Sequence, residues 1–211
     1  MKVNSLHISG IYLGLFVLLQ SCSSISYLNK NDLHHVNTMQ ENTFFISTSE
    51  DSIVLKKQYF EFTKNGRTQS SFTLNADKDT IQTTEKKMFF EKQTYPELPN
   101  YYCKTRWKTK QRERISCYSQ KKYKQNEKIV HYSKTGNILK SIDNFKTFNT
   151  HYYNYKNNAL QSIVIKNNTD TVLDSIVTKC LKLDINHNCI VQEQRHILTD
   201  SLKRIYRKIN Y

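Results

Sequence analysis

The spacing of residues around tight turns is the feature of this sequence that most restricts its fold. Four times, an aromatic or apolar residue is followed four positions later by a residue suited to left-handed backbone angles, at Gly66, Gly136, Asn157 and His187. Thirteen residues after each of these, an Asp or Asn precedes Thr or Ser, at Asp79, Asn149, Asp170 and Asp200. Gly, Asn and His tolerate positive φ better than most residues, so the first set predicts tight hairpin turns. The second set predicts capped polar turns.

The segments between the turns alternate in polarity, as at Phe60 and Phe62 or at Ile163 and Ile165. Because successive strand residues face opposite sides of a sheet, each unit predicts a strand, a tight turn, a strand, a polar turn and a return strand. Neighbouring units would bury one face together. We therefore predict an all-β fold, an antiparallel meander of repeated β-hairpins forming an extended twisted sheet after an N-terminal signal helix.

The motif Tyr-x-x-x-Gly-Asn-Ile at residues 132–138 resembles the hairpin repeats of RHS (YD) proteins and of MORN-like repeat proteins. The resemblance covers roughly residues 53–83 and 129–211. These families are stranded scaffolds with no single activity in common. The final strand, Arg207-Lys-Ile-Asn-Tyr211, is similar to the endings of uncharacterised envelope lipoproteins, which implies a location and not a chemistry.

The first residues have the form of an export signal. A lysine at position 2 precedes an apolar stretch over residues 8–19, and small residues follow it. Such a stretch spans about 18 Å as a helix, which is short of the roughly 30 Å hydrocarbon core. We therefore predict a cleaved signal peptide over residues 1–21.

Leu19-Gln20-Ser21-Cys22 resembles the lipobox of bacterial lipoproteins. The resemblance implies that Cys22 carries acyl chains such as palmitate and that cleavage precedes it. No Asp follows Cys22, which implies anchoring in the outer membrane of a diderm cell, facing the periplasm. Several acyl chains, at about 0.8 kcal/mol per buried methylene, would make the attachment permanent. The alternative is an ordinary cleaved signal without lipid.

The composition of the 211 residues, 37% of them hydrophobic, provides for one modest core. We predict a flexible tether over residues 22–40 and a hairpin-repeat domain over 41–211, with a non-repeat insert at 84–128.

A run of basic residues lies in this insert. Every even position from 104 to 114 is Lys or Arg: Lys104, Arg106, Lys108, Lys110, Arg112 and Arg114. A strand would place them on one face, whereas a helix would scatter them. Such a stripe, in a chain of net charge +14, is suited to phosphates of lipopolysaccharide or anionic lipid. The alternative is an edge strand whose cations prevent aggregation.

Four cysteines follow Cys22, and an even number in an exported chain indicates disulfides. A hairpin centred near Lys110 would bring Cys103 opposite Cys117, whereas one straight strand would separate them by about 46 Å. The repeat frame places Cys189 opposite Asp184, so we do not expect a bond between Cys180 and Cys189.

Motifs for catalysis are missing from the sequence. Only Gly66 and Gly136 follow the signal peptide, so no phosphate-cradling loop can form, and no Gly-x-Ser-x-Gly occurs. His187 and Cys189 could ligate zinc with His196 or Glu193, but turn chemistry explains His187. We therefore predict no cofactor, no metal and no enzyme activity.

The predicted function is that of a membrane-anchored, non-catalytic structural or interaction module of the cell envelope. The alternative is a polyanion binder that uses the 104–114 stripe. The expected partners are the membrane, through the lipid anchor, and an envelope protein or an anionic glycolipid, with no nucleic acid.

Overall fold

The computed structural model describes residues 36–47, 52–63, 68–109, 111–119, 122–134, 136–157 and 159–211, except the side chains of 107–109. The predicted signal peptide and Cys22 lie outside this range. Within the described residues, no helix has the length and apolar character needed to cross a membrane.

The regular structure of the described residues is entirely β. Its fourteen strands are β1 Thr38–Ile46, β2 Ser52–Phe62, β3 Thr68–Leu74, β4 Thr80–Lys86, β5 Glu91–Thr94, β6 Tyr102–Thr109, β7 Arg112–Tyr118, β8 Lys124–Tyr132, β9 Ile138–Asp143, β10 Thr150–Lys156, β11 Ala159–Lys166, β12 Val172–Leu183, β13 Cys189–His196 and β14 Leu202–Asn210. Strand β1 begins inside the segment predicted as tether, and β5 to β7 fill most of the predicted insert. The all-β prediction is confirmed.

The strands form a closed antiparallel barrel, so the prediction of an extended twisted sheet is wrong. Each strand pairs with its neighbours in sequence, and β1 also pairs with β14, from Thr38 opposite Asn210 to Ile46 opposite Leu202. This last pairing joins segments that are far apart in sequence, which the local spacing of turns does not report. Closure removes both exposed sheet edges.

Left-handed turn residues occur where the sequence predicts them. Gly136, Asn157 and His187 have φ of 95°, 51° and 64°, while Gly66 lies outside the described residues. In the polar turns, the cap differs from the prediction, because the residue that opens the turn accepts the hydrogen bonds. Asn167 Oδ1, for example, accepts from the backbone N–H groups of Thr169 and Thr171, at 3.0 and 2.9 Å.

The strand register separates the side chains into an inner and an outer face. Paired residues share a face, and following the pairs around the closed sheet returns to the same side. Most buried residues fall on one face, which is the inside of the barrel: Thr43, Thr73, Glu91, Cys103, Thr105, Glu113, Cys117, Val130, Tyr132, Ser141, Thr178, Gln192 and Ile205. The interior is therefore largely polar, unlike a purely apolar core.

Several polar side chains inside the barrel form hydrogen bonds or ion pairs with one another. Tyr132 donates its hydroxyl to Glu113 at 2.6 Å, and burial followed by the charge of Glu113 raises the pKa of Tyr132. Arg207 donates to Glu41 Oε2 and to Gln192 Oε1, both at 2.8 Å. Such pairing offsets the cost of removing charges from water.

Two disulfides close hairpins of the barrel. Cys103 and Cys117 face each other across β6 and β7, with a Cα–Cα distance of 3.9 Å. Cys180 and Cys189 are also bonded, at 5.8 Å, contrary to the expectation that they are not. Register shifts in β12 between Cys180 and Leu183 change the predicted frame and bring the two thiols together.

Candidate functional site

The β6–β7 hairpin turns the predicted stripe into a two-strand patch on the outer face. Lys104 and Arg106 lie on β6, and Arg112 and Arg114 lie on β7, with Arg106 directly opposite Arg114. Of the two arrangements considered from the sequence, a straight strand and a hairpin centred near Lys110, the structure has the hairpin, so the stripe is divided between two strands. The side chain of Lys108 and the whole of Lys110 lie outside the described residues.

A fifth cation joins this group from the neighbouring strand. Lys92 on β5 is the register partner of Lys104, so the two point to the same side of the sheet. Sequence reasoning missed Lys92 because it belongs to no basic run and joins the others only through strand pairing. We call Lys92, Lys104, Arg106, Arg112 and Arg114 the basic patch.

Aromatic rings position three cations of the basic patch. Lys104 Nζ lies 5.0 Å from the ring centroid of Phe90 and 5.4 Å from that of Tyr102. The Arg106 guanidinium is 5.7 Å from the Phe90 centroid, and Lys92 Nζ is 5.7 Å from that of Tyr102. Contacts with ring faces hold a cation in place without neutralising it. The charges therefore remain available to an anion.

One carboxylate, Glu127, borders the basic patch on the same outer face. It is 4% exposed and accepts from Lys124 Nζ at 2.8 Å, Asn144 Nδ2 at 2.9 Å and Ser116 Oγ at 3.1 Å, with Arg114 Nε at 3.9 Å. Burial alone would raise the pKa of Glu127, but these donors and the charge of Arg114 lower it to about 2. Glu127 is thus an ionised carboxylate that its donors hold in place on the outer face.

The second carboxylate near the basic patch is Glu85, the register partner of Lys92. Glu85 accepts a hydrogen bond from Lys87, and this bond, with the charge of Lys87, lowers its pKa. Neither Glu85 nor Glu127 forms an ion pair with Lys104 or Arg106 in the part of the chain that the structure describes. The patch keeps a surplus of positive charge.

A histidine and a further lysine lie beside the basic patch on strands β8 and β9. His131 is the register partner of Arg112, and its pKa is lowered by burial and by the charges of Lys140 and Arg112. Lys140 on β9 is the register partner of His131, so a further cation lies two strands from Arg112 on the same face.

The other residues considered for a site do not assemble into one. Cys189 forms a disulfide with Cys180, so it cannot act with His187 as a zinc ligand. Among the described residues, no three His, Cys, Asp or Glu side chains are grouped to hold a metal. His196 contacts Asp174, with Nδ1 to Oδ2 at 3.1 Å, and Asp174 also accepts from the Leu198 N–H, which makes this pair a cap of the β13–β14 turn.

A separate cavity of about 270 Å³ opens on the outer face over β1, β2, β3 and β14. Its walls include Tyr59 and Phe72, which stack with centroids 4.5 Å apart, and the polar side chains of Gln40, Glu61 and Lys208. Glu61 accepts a hydrogen bond from Ser70, which also lines the cavity. The cavity lies on the β1–β3 side of the barrel, apart from the basic patch on β5 to β7.

Comparisons with known proteins give distant structural likenesses. The barrel is similar to a putative outer membrane lipoprotein-sorting protein domain from Vibrio parahaemolyticus, at 4% identity and TM-score 0.37, over 85% of this chain and 88% of that one. It is also similar to a LolA superfamily protein from Nitrosomonas europaea, at 7% identity and a TM-score of 0.41, over 90% of each chain. A porin-like protein from Bacteroides uniformis is similar at 9% identity and a TM-score of 0.41, over 83% of this chain and 98% of that one.

No family model matches the sequence, and no curated protein does. These three structural likenesses have TM-scores of 0.41 or less, so we draw neither a family nor a function from them.

Proposed function

We propose that this chain is a lipid-anchored lipoprotein of the cell envelope that acts by binding and not by catalysis, and that its basic patch binds the phosphate groups of anionic lipids. Phospholipid headgroups and lipopolysaccharide share this chemistry. Cys22 would carry the anchor. The observation that supports the proposal is the pairing of like charges across strands, Arg106 with Arg114 and Lys92 with Lys104, on an outer face.

Like charges in directly opposed positions repel each other and destabilise a sheet. A phosphate placed between two such cations would relieve the repulsion. Guanidinium groups form charge-assisted, bidentate hydrogen bonds with phosphate oxygens, and lysines add point charges. The basic patch therefore has the chemistry of a site for a surface that presents several phosphates.

The alternative explanation, that the cations protect a sheet edge, does not fit the topology. Strand β6 pairs with β5 and β7, and β7 pairs with β6 and β8, so neither is an edge strand. Protection from edge-to-edge aggregation is not needed there. The cations thus need another explanation, and anion binding supplies one.

The test uses the mature form expected after cleavage, residues 22–211, with Cys22→Ala so that no acyl chain contributes. Binding to phosphatidylglycerol vesicles is measured by co-sedimentation. The patch variant combines Lys92→Gln, Lys104→Gln and Arg106→Gln, and it spares Arg114 because that residue contacts the buried Glu127. The control variant removes the same charge at exposed lysines away from the basic patch, Lys78, Lys146 and Lys179.

The patch variant should bind about 100-fold more weakly, since each basic residue near an anionic membrane contributes about 1 kcal/mol. The control should lose much less. Equal losses in the two variants would show that only net charge matters, and would refute a specific site. Circular dichroism of both variants checks that the barrel remains folded.

A further inference from the structure

The β4–β5 turn exposes two large apolar side chains next to the basic patch. Met88 and Phe89 are 86% and 77% exposed. The Lys87 N–H donates to the Phe90 carbonyl at 2.8 Å, which closes the turn and leaves Met88 and Phe89 at its tip. Phe90, the next residue, is the ring against which Lys104 and Arg106 lie. The apolar tip and the basic patch therefore form one continuous surface.

Barrel topology places this tip at a particular end. In an antiparallel meander, successive turns alternate between the two ends. We call the end where β1 begins and β14 finishes the terminal end, and the other the distal end. The β4–β5 turn is at the terminal end, and so is the β12–β13 turn, whose Ile185 is 90% exposed.

The two ends differ in charge. Among the described turn residues of the terminal end, the charged ones are Lys87, Lys134 and Asp184, and Asp184 is held by the hydroxyl of Tyr211. The distal turns are richer in acidic residues, and their described charged members are Asp77, Lys78, Asp79, Glu97, Lys122, Lys146, Asp170 and Asp200. An anionic bilayer would be repelled more by the distal end than by the terminal end.

Apolar exposure alone does not distinguish the ends. Ile197 and Leu198, in the β13–β14 turn of the distal end, are 53% and 74% exposed. That pair is followed by Asp200 and lies away from the basic patch. Distal turns also place exposed rings beside lysines, at Tyr123 and at Phe145 and Phe148, but these rings are less exposed than Met88 and Phe89. The terminal tip also adjoins the cations that lie against Phe90, and an apolar tip with adjoining cations is what binds proteins to anionic interfaces.

We infer that the barrel docks on an anionic bilayer with its terminal end, inserting Met88 and Phe89 below the headgroups while the basic patch contacts the phosphates. This inference rests on the proposed function, because it specifies how the patch meets the lipid. The direction of the chain agrees with it. The segment with Cys22 enters the barrel at Thr38, so a lipid on that cysteine would be attached to the same end.

The insertion is tested with an environment-sensitive fluorophore on a new cysteine in the mature, Cys22→Ala form. Met88→Cys labels the terminal end, and Leu198→Cys is the matched distal position. The native cysteines are in disulfides and do not react. Phosphatidylglycerol vesicles should shift the emission of the label at position 88 to the blue, and quenchers within the acyl region should reduce it. The label at position 198 should keep its emission in water.

Substitutions test the energetic contribution of the tip. Met88→Ser with Phe89→Ser should weaken binding to these vesicles by at least about tenfold. In the wild type, transfer of these two large apolar side chains from water into the bilayer favours binding, and the variant lacks this contribution. Ile197→Ser with Leu198→Ser, the control, should change binding by less than about twofold on the same basis.

The outcomes separate this inference from the proposed function. If vesicles bind and binding requires the basic patch, but the label at 88 stays in water, the proposed function holds and the docking orientation is refuted. A blue shift at 198 instead of 88 would also refute the orientation. If the Cys22→Ala chain does not bind anionic vesicles at all, the proposed function fails, and this inference fails with it.

Discussion

Protonation of Glu127 provides a quantitative test of how the outer face is organised. The carboxylate is buried among Lys124, Asn144 and Ser116, and its pKa is about 2, compared with an ordinary value of 4.5. A difference of this size corresponds to roughly 3 kcal/mol of stability, at 1.36 kcal/mol per pKa unit.

The sign follows from the direction of the shift. Because the pKa of Glu127 is lower in the folded state, the ionised carboxylate contributes stability above about pH 4.5, the ordinary value for Glu, and this contribution is lost as the pH falls toward 2. Glu127→Gln removes the charge at every pH and leaves Lys124 without its anion. The variant should be less stable than the wild type by about 3 kcal/mol at pH 6, and the gap should shrink progressively below pH 4.5.

The assay is urea unfolding of both proteins, followed by far-ultraviolet circular dichroism at a series of pH values. Taking the difference between wild type and variant cancels the contributions of other carboxyls with lowered pKa, such as Asp143 and Asp174. Glu97→Gln, which removes a carboxylate from an exposed turn, serves as the matched control. A gap for Glu127→Gln that is the same at pH 6 and at pH 2.5, or that is missing at pH 6, would refute the role assigned to this carboxylate.

Two further predictions concern the cysteines. Replacing both Cys103 and Cys117 by Ser should lower the free energy of unfolding by about 3 kcal/mol, as expected when a loop of this length is no longer crosslinked, and denaturant titration measures it. An unchanged midpoint would contradict that expectation. Radiolabelled palmitate should be incorporated into the full-length wild type in a bacterial host and not into Cys22→Ala, and equal labelling would remove the lipid anchor from the account.

Local backbone chemistry allowed much of the secondary structure to be predicted. The positive φ at Gly136, Asn157 and His187 depends on a few neighbouring residues, so the turns could be located from their spacing. Closure of the barrel could not be predicted from local spacing. It depends on the pairing of β1 with β14, between residues such as Thr38 and Asn210 that share no local pattern.

Only part of the basic patch could be predicted, because a local sequence pattern does not report which strands pair. Lys104, Arg106, Arg112 and Arg114 form a periodic run, so the sequence indicates a stripe. Lys92 and Glu127 join it only through strand pairing and have no signal of their own. The bond between Cys180 and Cys189 was missed because a register shift in β12 breaks the frame of the repeat.

We have proposed that the barrel binds anionic lipid through electrostatic contacts of its basic patch. The most direct measurement is the affinity of the mature, Cys22→Ala form for phosphatidylglycerol and for phosphatidylcholine vesicles over a range of salt concentrations. We expect the barrel to prefer phosphatidylglycerol and its affinity to fall steeply as salt screens the charges. Equal affinity for both lipids, or binding that does not respond to salt, would contradict it.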